Sequence, residues 1–247
     1  MIFNIGYHLS KSGIIPDSVL NIPKKFNLVI QSFIASPQSG VLPKLITPAE
    51  MPSNTGIIHG KYLYNLNKKY PKQTKMLYNE ILLAKSLECP LVLHTKPYTQ
   101  LQAVQIADLI KTTGGIVYIE NNAKVSITDF NILVNEIIKL SVKMPNFGIV
   151  IDLAHLYGSG DYDKLDSIDW KLVKVIHFNP SSVEYNSKKD KHLPVFPKKN
   201  LSTIEPILDY ILAKVKKYNP TLIVEKLPDN SEESQLQTIK YLIMLLS

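Results

Sequence analysis

Short, almost wholly apolar runs alternate along this chain with longer segments whose apolar residues recur three or four positions apart. Bounded apolar runs of four to eight residues mark strands buried on both faces; the three-to-four spacing marks helices with one buried side. Strands are expected at residues 2–9, 27–34, 56–60, 90–95, 116–120, 147–151, 173–178 and 221–224. Helical spacing runs over residues 70–87, 99–112, 128–143, 202–218 and 231–246. Their punctuation fits: Thr128 as an N-cap with Pro145 past the end, Gly114-Gly115 as a stop, Ser202 and Glu205 as a capping box, and Ser231 as a cap with Glu233 behind it. Residues 16–24 read as a short helix or a loop, and Pro43, Pro48 and Pro52 mark an irregular stretch. Roughly eight strands alternating with helices predict an α/β fold, a (β/α)8 TIM barrel in one domain over residues 1–247. A doubly wound open sheet would need fewer strands and a Gly-rich phosphate turn after the first.

Chemistry enters where the apolar runs end. The third to fifth end at His59, His94 and Glu120; the sixth runs into Asp152 and His155 before a Gly158-Ser159-Gly160 loop; the seventh and eighth end at His177 and Glu225. Asp190 and His192 follow on the next loop, and His8 closes the first strand. For one such pair alone, a capping Asp and a hydrogen-bonded His would be the ordinary reading. Five of the six histidines of the chain are among these donors, however, with His8 the sixth, and barrels gather their function at the carboxyl ends of the strands. Imidazole and carboxylate together suit zinc, or less selectively manganese or iron. Nine donors exceed one tetrahedral ion and would fill two or three sites, with a carboxylate such as Glu120 bridging. Clustered metals suit phosphoester hydrolysis.

Charge adds a partner class. The 247 residues carry a net charge of +7, and with no arginine present all 28 basic residues are lysine. Lysine is a compact point charge that meets phosphate without the planar fork used to read bases, so sequence-independent contact with nucleic acid is expected. The lone Cys89 precedes an apolar run and reads as a buried thiol; no disulfide within the chain can form, which points to a reducing compartment. The opening residues lack a charged segment followed by a long apolar one, and no apolar run reaches the roughly 18 residues a membrane span needs. An intracellular, cytoplasmic protein is expected.

Taken together, these segments resemble the endonuclease IV family of apurinic/apyrimidinic (AP) endonucleases (AP endonuclease family 2), in particular its compact viral members. The resemblance is carried by Gly6-Tyr7-His8, Phe33-Ile34-Ala35-Ser36-Pro37, His59-Gly60-Lys61-Tyr62-Leu63, Leu91-Val92-Leu93-His94 and Tyr118-Ile119-Glu120. It continues through Ile151-Asp152-Leu153-Ala154-His155, Ile176-His177-Phe178-Asn179, Asp190-Lys191-His192 and Ile223-Val224-Glu225, spanning nearly the whole chain in order. It implies three zinc ions, with manganese or iron able to take one site. His59, His94 and Glu120 would hold the first. Glu120 would bridge to a second, held with Asp152, His177 and Glu225. His155, Asp190 and His192 would hold the third. The implied reaction is hydrolysis of the phosphodiester 5′ to an abasic site in double-stranded DNA, as in base excision repair, with trimming of blocked 3′ ends, carried out by a monomer. Glu120 would be the catalytic residue, and Tyr62, Gln38, Lys61 and His8 would face the DNA. Two departures stand out: Gln38 where relatives carry an arginine, and Pro180 where they carry an Asp. Lys61, Lys188, Lys189 and Lys191 are expected to meet phosphates.

Two rivals are weighed by their donor needs. A sugar isomerase or epimerase of the xylose isomerase-like barrels requires one metal, for which Glu120, Asp152, His177 and Glu225 suffice; the surplus of His59, His94, His155 and His192 goes unexplained. A nucleic-acid-binding protein with a decayed site would not be expected to keep all nine donors.

Overall fold

In a computed structural model, which describes residues 4–9, 25, 27–33, 55–62, 64–140, 144–227 and 231–247, eight parallel strands close into a barrel in chain order. They are β1 (Ile5–Leu9), β2 (Val29–Phe33), β3 (Thr55–His59), β4 (Leu91–His94), β5 (Val117–Glu120), β6 (Phe147–Asp152), β7 (Val173–His177) and β8 (Thr221–Val224). β8 returns to β1 in the register Ile5 to Leu222, closing the ring. The expected (β/α)8 barrel is therefore the fold. Among the described residues the helices are α1 (Pro71–Ser86), α2 (Gln100–Thr113), α3 (Ile127–Lys139), α4 (Leu153–Ser159), α5 (Leu208–Tyr218) and α6 (Glu232–Leu246). None of them is long and apolar enough to cross a membrane. Residues 16–24, Gln38 and the stretch holding Pro43, Pro48 and Pro52 lie outside the described residues.

Several helix ends differ from the sequence expectation for identifiable reasons. The cap of α3 is Ser126, whose hydroxyl accepts from the Asp129 amide at 3.1 Å, so Thr128 falls inside the first turn. The helix stops at Lys139 rather than 143, and Pro145 sits in a separate 3-10 turn, Met144–Asn146. The expected helix over 202–218 is three pieces: 3-10 turns at Lys198–Thr203 and Glu205–Ile207, then α5. Pro206 has no N–H to donate to the preceding turn, so an α-helix cannot run through it and the Ser202/Glu205 capping box does not form. The expected loop after β6 is instead α4, ended by Gly160 in the left-handed region at φ 76°. Thr99 and Ser231 cap α2 and α6, the latter as expected.

The barrel has two cores. A large one packs the outward strand residues against the helices; it includes Tyr7, Leu91, Ile119, Phe147 and Ile176. Cys89 is buried in it. A small one plugs the inside of the barrel: Ile57, Val92, Val150, Val175 and Ile223, with Val29 and Tyr118 against it. β1 contributes Gly6 at this level, and here glycine is required, because a Cβ would lie 1.9 Å from the Val29 carbonyl oxygen and 2.9 Å from Ile223.

Candidate metal centre

Side chains alternate across a strand, so the residue two positions beyond each inner apolar one points the same way, one layer higher. That layer reads His8, Gln31, His59, His94, Glu120, Asp152, His177 and Glu225, in strand order. One polar residue per strand thus stands as a ring on the apolar plug at the carboxyl end of the barrel. All but Gln31 were candidates from the sequence. Turns beyond the strands bring in the rest. Asp152 caps α4, its Oδ1 accepting from the His155 amide at 2.7 Å, and this turn swings the His155 ring back over the barrel mouth. Asp190 and His192 reach in on the β7–α5 connection, which pairs Ser181 with His192.

Three groups of donor atoms, each within 4.8 Å of one another, result: His59, His94 and Glu120; Glu120, Asp152, His177 and Glu225; and Asp152, His155 and His192. Glu120 joins the first to the second, and Asp152 joins the second to the third. Asp190 stands beside the third, with Oδ2 3.2 Å from His155 Nε2 and Oδ1 3.7 Å from His192 Nε2.

The donor atoms fit a metal ion in ways that side chains alone would not satisfy. His59 Nδ1 lies 2.8 Å from the Gly60 carbonyl and His155 Nδ1 2.9 Å from the Asn121 carbonyl, so each donates there and turns Nε2 inward. His177 does the reverse, donating from Nε2 to Gln31 Oε1 at 3.0 Å and turning Nδ1 inward. Two imidazole nitrogens, His59 Nε2 and His94 Nε2, face each other at 3.2 Å. Glu120 Oε2 lies 3.6 and 3.3 Å from them, buried and without a hydrogen-bond partner, as is His155 Nε2. A zinc–donor bond of about 2.0–2.1 Å places tetrahedral ligand atoms roughly 3.3–3.4 Å apart. The contacts of 3.1–3.5 Å linking His94 to Glu120, His155 to Asp190, and His177 to Glu120, Asp152 and Glu225 match that spacing. So do those linking His192 to Asp152 and Glu225, at 3.1 and 3.6 Å.

Electrostatics tell the same story. Burial drives His94 down to about 3 against the pull of Glu120, and burial also holds His8 well below the usual range, with His59 and His177 adding to it. Both rings are neutral at pH 7. Burial acts on His155, His177 and His192 as well, but there the carboxylates win. Asp152 lifts His155 and raises His192 to about 9, while Glu225 and Glu120 lift His177. Burial opposes ionisation of Glu120 and Asp152, yet the surrounding imidazoles hold both carboxyls below their ordinary range. Four carboxylates converging here create a negative field that calls for cations.

Positioning residues surround the donors, and sequence reading missed their roles. Gln31 completes three hydrogen bonds: besides accepting from His177, its amide donates to His8 Nδ1 at 3.1 Å and Glu225 Oε1 at 3.2 Å. Asn121 clasps the Asp152 backbone from both sides, at 2.7 and 3.1 Å. Asn179 accepts from the Glu225 amide and donates to the Leu193 carbonyl.

The expected DNA-facing residues divide. Tyr62 is 47% exposed and stands edge-on to His94 at 4.8 Å and His59 at 5.4 Å, on the rim above the first donor group. His8 is buried within the ring, edge-on to Phe33 and His59. Lys61, expected at the phosphates, is only 2% exposed and lies beside the buried Glu80. Lys188, Lys189 and Lys191 are exposed on the loop that carries Asp190 and His192, with the Lys188 ammonium donating to the Ser159 carbonyl. Gln38 lies outside the described residues. Pro180 begins that loop, and its carbonyl accepts from the Leu193 amide at 2.7 Å.

No protein-family model and no curated protein sequence matches this chain. Solved structures do. Endonuclease IV from Thermus thermophilus is 20% identical over 98% of both chains, with a TM-score of 0.75. The IolI protein with a binding zinc atom is 12% identical over 99% of this chain and 98% of its own, with a TM-score of 0.68. The TTHB071 protein of Thermus thermophilus, soaked with ZnCl2, is 13% identical over 96% of this chain and 97% of its own, at 0.61. At these identities the likeness establishes the barrel fold.

Proposed function

We propose that this protein is a zinc-dependent AP endonuclease that cleaves double-stranded DNA 5′ to abasic sites, with trimming of 3′ ends as a second activity. One observation carries the reading: the donors form three groups linked through shared carboxylates, not one. A barrel acting on a sugar with one metal has no use for His59 and His94, or for His155 and His192. The likeness to endonuclease IV over 98% of both chains supports it. Bound in these groups, zinc would lower the pKa of a water molecule and neutralise charge on the phosphate.

The chain's own residues supply the rest. Glu120 sits between the first two groups, where its carboxylate orients the attacking water. The water oxygen bonds to phosphorus as the P–O3′ bond breaks, and the leaving oxygen takes a proton to become the 3′-hydroxyl. Tyr62, exposed above His59 and His94, provides the aromatic wedge that an unstacked abasic site requires. Lys188, Lys189 and Lys191 contact flanking phosphates, and the protein acts as a monomer.

Elemental analysis combined with incision of an abasic-site duplex, with and without chelator, tests this. About three zinc ions per chain and chelator-sensitive nicking 5′ to the lesion are expected. A second reading, a single-metal isomerase or epimerase, is favoured only by the Glu120, Asp152, His177 and Glu225 group, whose four donors would suffice for one ion. One metal per chain with no nicking would overturn the nuclease in its favour.

A further inference from the structure

A buried carboxylate outside the metal centre is used by none of the chemistry above. Glu80, on α1, is fully buried. It accepts a hydrogen bond from the Tyr64 hydroxyl, and a second from the backbone amide of Lys61. Its Oε1 has no hydrogen-bond partner, a costly arrangement for a helix residue whose neighbours could all be apolar. The two donors bracket Tyr62 in sequence. On either side of that exposed ring, Lys61 and Tyr64 are buried. Upstream, the Gly60 amide donates to the Val92 carbonyl at 2.8 Å, and a Cβ at Gly60 would lie 2.7 Å from that oxygen. The segment is thus held against β4 at one end and against Glu80 beyond it.

We propose that Glu80 is a positioning residue. By tying Lys61 and Tyr64 to α1 it fixes the turn that carries Tyr62 over His59 and His94, so that the ring is set before substrate arrives. The order it imposes lowers the cost of binding, since a wedge already in place loses little freedom on contact. The DNA part of this inference rests on the proposed nuclease function; the tethering of the turn does not.

Three variants test it: Glu80→Leu, which removes both acceptors; Tyr64→Phe, which removes one donor; and Glu80→Gln, which keeps an acceptor. The first readout is amide hydrogen exchange at Lys61 and Tyr62, without DNA. Loss of one hydrogen bond of ordinary strength corresponds to about tenfold faster exchange. That is expected in Glu80→Leu and Tyr64→Phe, with Glu80→Gln closer to the parent and with amides around Glu120, Asp152 and His177 unchanged. Exchange unchanged at Lys61 and Tyr62 would overturn the tether. If Glu80→Leu does not fold, Tyr64→Phe decides alone. The second readout is steady-state incision of an abasic duplex: KM should rise about tenfold while kcat and zinc content stay within about twofold. A fall in kcat with KM unchanged would overturn positioning of Tyr62. If the parent protein does not nick abasic DNA, the nuclease reading fails while the exchange experiment still judges the tether.

Discussion

At the scale of single residues, Gln31 carries more of the centre than its type suggests. Its amide decides which nitrogen of His177 faces the metal groups and steadies Glu225 as well. Replacing it with leucine keeps the volume but removes a hydrogen-bond partner from His8, His177 and Glu225 at once. Zinc affinity of the Glu120, Asp152, His177 and Glu225 group should fall about 10–100-fold, measurable by competition with a chromophoric chelator. A second expectation concerns protons. In the metal-free protein His192 is raised to about 9 and so holds its proton at pH 7.5, and the carboxylates around His155 and His177 favour their protonated forms as well. Zinc requires neutral imidazole, so loading must expel these protons. Apparent affinity should rise with pH until His192 is deprotonated near 9 and fall as the solution is acidified. Calorimetry in buffers of different ionisation enthalpy reads the release directly; equal heats in all buffers would contradict it. Gln31 is also where sequence reading stopped short. A lone amide inside an apolar strand looks like any polar residue, and only the two-residue step from Val29, repeated on every strand, marks it as the eighth member of the ring.

Among the elements, α4 and the β7–α5 connection are locked together. The amides of Asn186 and Lys188 donate to the carbonyls of Tyr157 and Gly158, at 3.0 and 2.9 Å, and both residues adopt φ near +60°. A Cβ at Gly158 would lie 2.5 Å from the Lys189 carbonyl oxygen, next to Asp190. Gly158→Ala should therefore push the connection outward. A stability loss of about 1–3 kcal/mol is expected from the overpacking, together with loss of the ion proposed for His155 and His192 while those proposed for the other two groups stay. A thermal melt and elemental analysis check both parts. This lock was not legible beforehand, because Gly158-Ser159-Gly160 read as a loop and the seven-residue α4 is too short for periodicity to reveal. Pro206 shows the opposite failure: the helical spacing over 202–218 was plain, but the missing N–H governs where the α-helix can begin. The strands fared better, since continuous apolar runs buried on both faces leave little ambiguity, and their ends located most of the ring.

For the molecule as a whole, the net charge of +7 is carried by lysine alone. Lys188, Lys189 and Lys191 lie on the loop bearing Asp190 and His192, where they can meet a polyanion near the centre. Changing Lys188, Lys189 and Lys191 to glutamine should reduce the salt dependence of duplex binding by about 0.9 per lost phosphate contact on a log–log plot. An unchanged slope, measured by fluorescence anisotropy across salt concentrations, would move the contact surface elsewhere. The centre itself is a row in which Glu120 and Asp152 each serve two neighbours, leaving the middle position flanked on both sides. An occupant there is gripped by carboxylates that its neighbours also hold in place, whereas each outer occupant shares only one. Stripping should accordingly run from the ends inward, and the central cation should be the last to leave.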